Sequence, residues 1–346
     1  MRYTLPPIAD LPSIPFDTVI DVRSPSEFAE DHMPGAINLP VLSDKERAAV
    51  GTMYVQDSPF KARKIGAALV ARNAAGHLEH ALIGKDGGWK PLVYCWRGGQ
   101  RSGSFTTILR QVGWRAEVVE GGYKAYRKLV KQALYDEAFA PKVVLLDGNT
   151  GTAKTDILVA LAARGVQVID LEGLANHRGS LFGARAGGQP SQKAFESALA
   201  QVIAGLDPSR PVVVEAESSK IGRLAVPPQL WAAMRVARRI EIKAPLAARA
   251  RYLATVYSDI VEDSARLGET LDKLRTYHSA EVIEQWHKLA AAGEMEALAT
   301  VLMAEHYDSR YGKARGETAD VTPLVVSGLG AADIEAAAAR IEAMLA

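Results

Sequence analysis

Leu92-Val93-Tyr94-Cys95-Trp96-Arg97-Gly98-Gly99-Gln100-Arg101-Ser102 is the stretch on which the reading of the fold turns. An apolar, β-prone run ends at Cys95, and a loop with two glycines and two arginines follows. Ser102 to Val112 then carries helical spacing, with Ser102 or Ser104 as the N-cap. Strand, tight loop and helix in that order put a cysteine above backbone N–H groups and the positive end of a helix. Arg97 and Arg101 add formal charge, and all of these favour the thiolate over the thiol. The glycines let the loop curl until its N–H groups converge on one point. Such a cradle suits a sulfur that carries or attacks an anionic group. Cys95 is the only cysteine of the 346 residues, so no intramolecular disulfide can form. A buried structural thiol is the plainer reading of a lone cysteine, and the flanking arginines and glycines weigh against it.

Upstream, Thr18 to Arg23 reads as a buried strand ending in charge, and Ser24 to Phe28 as a turn into a short helix. His32 to Pro40 is a loop followed by a short strand. Asp21, Arg23 and His32 fit loop-fixing hydrogen bonds better than direct catalysis. Phe60 to Asn73 reads as a helix carrying Lys61, Arg63, Lys64 and Arg72, a solvated face in the first instance. Asp86-Gly87-Gly88 is a turn before the Cys95 strand.

Downstream the pattern restarts. Ala140-Pro141-Lys142 reads as a linker and Val143 to Asp147 as a new buried strand. Gly148, Asn149, Thr150, Gly151, Thr152, Ala153, Lys154 and Thr155 follow, then an apolar helix to Arg164. Strand, phosphate loop and helix is the context that makes this motif credible. Backbone N–H groups would cradle phosphate oxygens, Lys154 would neutralise them, and Thr155 would reach a Mg²⁺ ion. Ala153 stands where the usual pattern has glycine, and a Cβ costs energy there if the backbone is left-handed. That departure weakens the case for ATP or GTP as the ligand.

Gly165 to Asp170 is the next strand, delivering Asp170 and Glu172 to a loop that contains His177 and Arg178. Mutual loop-fixing contacts and a direct role fit these four groups equally. Pro211 to Gly222 is a strand ending in acids; valines before an acid resemble a Walker B segment. Glu215 or Glu217 fits a Mg²⁺ contact, direct or through water, as well as it fits a solvated strand end. Arg235, Arg238, Arg239, Lys243, Arg249 and Arg251 against Glu241 alone form the densest basic stretch, suited to phosphate-backbone contacts. Leu246 to Glu305 reads as helices, Thr322 to Val326 as a strand, and Ala331 to Leu345 as a closing amphipathic helix.

Composition bounds the rest. Apolar content of 48% supports packed cores, and a formal net charge of +1 gives no global field toward a polyanion, so nucleic acid must bind through a local patch. Met1 to Asp10 has no signal-like apolar core, and no apolar run reaches membrane-spanning length. With one cysteine, these features lead us to expect a cytoplasmic protein without a membrane partner.

Asp21-Val22-Arg23-Ser24, Glu27-Phe28, and His32 to Pro40 resemble the rhodanese signature, and Cys95 falls where a rhodanese places its sulfur-carrying cysteine. Glu120 to Tyr126 resembles that family's closing strand and turn. Joined to a phosphate-loop half, the whole resembles the tRNA 2-selenouridine synthase family. The anchors are Cys95 to Gly99 with Arg101-Ser102, Gly148 to Thr155, Asp170-Leu171-Glu172 with His177 to Ser180, and Tyr307-Asp308 with Tyr311.

The resemblance implies an α/β chain: a rhodanese-like α/β domain over residues 1–138, then a P-loop NTPase-like parallel α/β domain over 139–346. A helical region at 245–310 would form part of the latter. It implies conversion of wobble 2-thiouridine to 2-selenouridine through an S-geranylated intermediate, with geranyl diphosphate and selenophosphate as co-substrates and Mg²⁺ as cofactor. Cys95, Arg97 and Arg101 would serve the selenium step, with Cys95 either carrying selenium or attacking the base. The tRNA anticodon stem-loop would be the macromolecular partner, met through Arg235 to Arg251 or the Lys61 to Arg72 helix. A selenophosphate-supplying enzyme would dock transiently. Three rivals fit the same residues: a rhodanese-type sulfurtransferase fused to a nucleotide hydrolase, a cysteine phosphatase on the Cys95-x₅-Arg101 spacing, and a non-catalytic tRNA- or anion-binding module.

Overall fold

The computed structural model describes residues 1–180, 182–256, 264–308 and 320–345. The chain forms two units, Met1–Glu137 with Pro190–Gly205, and Ala138–Gln189 with Leu206–Ala346.

The first unit is built on a parallel sheet of β1 (Arg2–Tyr3), β2 (Thr18–Asp21), β3 (Ile37–Asn38), β4 (Pro91–Tyr94) and β5 (Glu117–Val119), in the order β1-β5-β4-β2-β3. The inner strand β4 is buried throughout, hence its continuous run of apolar residues. Helix α1 (Pro25–Glu30) starts on a capping box of Ser24 and Glu27 with proline in its first turn. A second capping box, Ser43 with Glu46, opens α2 (Asp44–Gln56), and Ser58 caps α3 (Pro59–Glu79).

Helix α3 runs past the expected end at Asn73 because that side chain serves tertiary contacts instead. Its amide donates to Val41 O (3.0 Å) and to Glu46 (3.0 Å). Helix α4 (Gln100–Val112) starts two residues earlier than the sequence spacing predicts, with Gly99 at the N-cap. Ser102 does not cap it; its hydroxyl turns to the Cys95 sulfur (3.1 Å). The residues expected as a closing turn open a helix, α5 (Gly122–Lys131), which continues as one π-helical turn to Asp136. The core gathers Ile20, Val93, Phe105 and Leu109 with the edge-to-face pair Trp89 and Trp114.

Residues 190–205 carry a helix, Gln192–Ala204, that belongs with this unit and not with the residues around it in sequence. The expected division at 138/139 therefore assigns it to the wrong side. A buried polar network is the reason. The Asp31 carboxylate accepts from Tyr123 Oη (2.7 Å) and Ser197 Oγ (2.8 Å). Arg127 donates to Lys193 O and Ser197 Oγ (both 3.1 Å) and pairs with Glu196. Buried charges of this kind need partners, and here the partners arrive from a distant stretch of chain.

The second unit holds β6 (Val143–Gly148), α6 (Lys154–Ala163), β7 (Gln167–Ile169) and α7 (Leu171–Leu174). After the Gln192–Ala204 helix, counted as α8, come β8 (Val212–Glu215), the hairpin of β9 (Lys220–Ile221) and β10 (Leu224–Ala225), α9 (Pro228–Arg235) and β11 (Arg238–Lys243). Helices α10 (Leu246–Val256), α11 (Ser264–Asp272), α12 (Ala280–Ala291) and α13 (Met295–Leu302), β12 (Val321–Val325) and α14 (Ala331–Leu345) complete it. The sheet runs β12-β11-β6-β8-β7, all parallel. The chain leaves central β6, flanked by β11 and β8, for a helix, which opens a crevice at the carboxyl ends of the strands. Helices α11 to α13 have a core of their own around Leu271, Ile283, Trp286 and Leu298. No helix among the described residues is long and apolar enough to cross a membrane.

Candidate active sites in the two units

The loop after β4 folds as the glycines suggest. Gly98 and Gly122 have positive φ (+65° and +59°), and they press together: a Cβ on Gly122 would collide with Cys95 O and Gly98 N. Backbone bonds lock the loop to the start of α5, with Tyr123 N donating to Cys95 O (2.8 Å) and Lys124 N to Trp96 O (3.1 Å). Cys95 is 4% exposed, with its sulfur at the floor of the loop. Burial pushes the thiol pKa up. The Ser102 hydroxyl and N–H, the Arg101 charge and the Arg97 N–H outweigh it and hold the thiol below its ordinary value.

The two arginines divide. Arg101 lies against Glu27, donating through Nη1 (2.7 Å) and Nη2 (3.3 Å), so it is anchored rather than loose. Arg97 is exposed. Asp21, Arg23 and His32 are scaffold, as the sequence suggests. Arg23 is 1% exposed, paired with Asp21 (2.6 Å) and donating to Asp31 O (2.6 Å); the His32 ring stacks on Phe28.

In the second unit, Gly148 to Thr155 wraps the N-terminus of α6. Lys154 Nζ donates to Gly148 O (3.0 Å), and Thr152 Oγ1 to Asn149 O (2.8 Å). Ala153 does occupy the left-handed region (φ 56°, ψ 31°) at the N-cap and is 3% exposed. An L-residue there costs roughly 1–2 kcal/mol. Two expected outcomes follow for urea unfolding. Ala153→Gly should shift stability by less than about 1 kcal/mol, because relief of strain is offset by a more flexible unfolded chain. Ala153→Val, β-branched and crowded, should lose about 2 kcal/mol or more. Equal midpoints for the two variants would refute the strain.

Around the loop, Thr155 Oγ1 lies 3.2 Å from Glu215 Oε1 and 3.4 Å from Glu172 Oε2, and Glu172 N donates to Glu215 Oε2 (2.9 Å). Burial pushes the Glu172 and Glu215 carboxyls well up, and neighbouring acids add to it: Glu215 and Glu217 act on Glu172, Asp170 and Glu217 on Glu215. Among the described residues, no group of three or more His, Cys, Asp or Glu is arranged to hold a metal ion by itself. Asp170 caps α7, accepting from Gly173 N (2.6 Å), and His177 Nδ1 accepts from Gly179 N (3.1 Å); both are loop-fixing. Arg178 lines the same cavity as the phosphate loop, about 120 Å³, with Arg185 and Tyr252.

The basic stretch does not form one face. Arg249 is 5% exposed and structural: it donates twice to Thr150 O (2.9 and 2.8 Å) and grips Asp308 (2.7 Å), whose carboxylate also accepts from Asn149 (3.0 Å). Arg239 pairs with Asp147 (3.0 Å), and Arg238 donates to Met344 O (2.7 Å). Of the six, only Arg235, Lys243 and Arg251 are exposed. The expectation of a nucleic-acid surface there is corrected for Arg249. Its charge is consumed in seating the phosphate loop. Tyr311, one of the anchor residues of the sequence, lies outside the described residues.

Comparison with known proteins bears on both units. The profile described as "tRNA 2-selenouridine synthase AAA domain" matches residues 141–269, and that of the "Rhodanese-like domain" matches residues 9–129. A tRNA 2-selenouridine synthase of Chromohalobacter salexigens is 33% identical over 316 residues, covering 89% of this chain and 84% of the relative. The chain belongs to the tRNA 2-selenouridine synthase family. The namesake of Psychromonas ingrahamii is 35% identical over 72% of this chain and 67% of its own, and that of Nitrosomonas europaea 36% over 70% and 62%. The aligned stretch thus spans a little less than two thirds of the Nitrosomonas protein.

For a member of the tRNA 2-selenouridine synthase family, the sequence reading missed three contributors: Arg185, Tyr252 and Leu253. Among the described residues, Arg185 Nε is buried without a hydrogen-bond partner in the wall of the cavity beside the phosphate loop. Leu253 packs on Gly151, and it also lines a second, apolar cavity that adjoins the first at Thr150. Phe182, Leu267, Met295, Leu298 and Leu302 supply its other walls. Only the helical spacing of the apolar residues hinted at any of this.

Proposed function

We propose that this chain replaces the sulfur of the tRNA wobble 2-thiouridine by selenium, with geranyl diphosphate and selenophosphate as co-substrates. The observation that carries the reading is the pair of abutting cavities in the second unit. One is lined by the phosphate loop, Arg178 and Arg185; the other is apolar; they share Thr150 and Leu253. A diphosphate with a ten-carbon hydrocarbon tail matches that pairing of polar and apolar walls.

The chemistry follows from the residues. A thiocarbonyl sulfur is a poor leaving group. Its lone pair attacks the first carbon of the geranyl chain, the carbon–oxygen bond to diphosphate breaks, and the sulfur becomes a thioether. Lys154, Arg178, Arg185 and the N–H groups of the α6 N-terminus face the departing anion and stabilise its charge. A divalent cation fits beside Thr155, where the buried acids Glu172 and Glu215 repel each other and gain from positive charge. Such an ion, Mg²⁺ by its preference for hydroxyl, phosphate and water oxygens, would add charge neutralisation there. In the selenium half, the selenium of selenophosphate bonds to C2 of the base, geranylthiol leaves with a proton, and water takes the phosphoryl group as the phosphorus–selenium bond breaks, giving phosphate and the 2-selenocarbonyl. Cys95, with its lowered thiol pKa, serves this half, and exposed Arg97 meets the anion.

The test is mass spectrometry of wobble nucleosides from 2-thiouridine tRNA. Incubation with geranyl diphosphate should yield S-geranyl-2-thiouridine, and adding selenophosphate should convert it to 2-selenouridine. Steady ATP or GTP hydrolysis with unaltered nucleosides would favour the sulfurtransferase–hydrolase rival instead.

A further inference from the structure

Helix α5 carries a basic stripe beside the Cys95 loop. Lys124, Lys128 and Lys131 are all exposed, and their i, i+4, i+7 spacing puts them on one face. The opposite face, Tyr123, Tyr126 and Val130, is buried in the unit. A groove of about 1240 Å³ runs along the stripe, and its walls include Trp96 and Arg97, the two residues after Cys95. Two acids line it, Glu196 and the exposed Asp136, against the basic residues of its walls. Glu196 is paired with Arg127, and Glu30 takes Lys193 (2.6 Å). Among the described residues, no carboxylate pairs with Arg97, Lys124, Lys128 or Lys131. Four cations are thus left facing one groove in a chain of net charge +1.

We infer that this groove binds the backbone of single-stranded or loop RNA and leads it to Cys95, with Trp96 as a stacking platform for a base. The inference rests on the tRNA reading above and adds where the RNA lies. Two features favour RNA over an acidic protein. The lysines from 124 to 131 span about 10 Å along the helix axis, at 1.5 Å per residue, so two or three successive phosphates can each meet one. A half-buried tryptophan, tilted against Tyr123 at 5.4 Å between ring centroids, stands at the end nearest the nucleophile. Charge along a groove with an aromatic ring beside it is the usual equipment for single-stranded nucleic acid. Local rigidity helps. Trp96 O is tied to Lys124 N, so the stacking residue and the first lysine move as one body with the Cys95 loop.

The experiment is fluorescence anisotropy of a 2-thiouridine tRNA titrated with the full chain at several salt concentrations. K128A/K131A should weaken binding on the order of tenfold at low salt and reduce the log–log salt slope by about 1.5, close to two phosphate contacts. Trp96→Ala should weaken binding at least about fivefold without moving the slope, and Trp96→Phe should restore most of it. The unfolding midpoint and the pH profile of Cys95 alkylation, unchanged in K128A/K131A, separate lost contacts from lost structure. If wild-type protein binds and K128A/K131A keeps its slope, the groove is overturned while the proposed function stands. A slope lost instead in R63A/K64A puts the RNA on α3 and overturns the groove equally. If wild-type protein binds no tRNA, the proposed function falls and takes the groove with it.

Discussion

Cys95→Ala is expected to stop selenium incorporation, by on the order of a thousandfold or more, while geranylation of the same tRNA continues within about twofold. The nucleoside profile should show S-geranyl-2-thiouridine accumulating. The expectation rests on where the groups lie. The sulfur sits among Ser102 Oγ, two backbone N–H groups and Arg101 in the first unit. Lys154 and the cavity it lines belong to the second unit. Losing the sulfur removes one small group from a packed wall, which costs about 1 kcal/mol in cores of this kind, too little to unfold the unit. A normal yield of 2-selenouridine from the variant would sink the assignment.

Lys154→Ala should have the opposite phenotype. It removes a charge-assisted contact to the leaving diphosphate, worth roughly 1.5–3 kcal/mol, so geranyl transfer should fall about tenfold or more. The variant should still place selenium on tRNA that arrives already geranylated. Isothermal titration with geranyl diphosphate, ATP and GTP, each with Mg²⁺, gives the direct comparison. On the proposed function, geranyl diphosphate should bind wild-type protein most tightly and lose most affinity in the variant, because of the three only it would bring a hydrocarbon tail to the apolar cavity as well. Tight ATP binding with no binding of geranyl diphosphate would reverse the assignment.

Local patterns made much of this legible. Valine-rich strands, the Gly148 to Thr155 loop and the serine caps are short-range signals, and the helix over 331–345 ends where its spacing ends. Ala153 was readable as a strained position because the phosphate loop requires a left-handed residue there whatever the side chain. What depends on distant partners was not legible. Arg249 counts as one more basic residue in sequence; only Thr150 O and Asp308 reveal it as a brace. The apolar cavity draws on residues from Thr150 to Tyr307, which no window of sequence brings together. The α5 stripe was not legible because the strand-and-turn reading covers only Glu120 to Tyr126 and leaves Lys128 and Lys131 unplaced, while charge density carries no helical phase.

The Gln192–Ala204 helix has a consequence for how the protein is made. A ribosome delivers the chain from its first residue, and domains ordinarily fold as they emerge. Here the first unit is incomplete until residue 205 has emerged from the tunnel, since Ser197 and Glu196 are what Asp31 and Arg127 require. By then β6, the phosphate loop and β7 are already outside the tunnel, their sheet still lacking β8 and β11. The nascent chain therefore passes through an interval in which neither unit can close: the first has its whole sheet but lacks the Gln192–Ala204 helix, and the second has only part of its sheet. A gene cut at the linker near residue 140 would leave the first unit permanently without that helix.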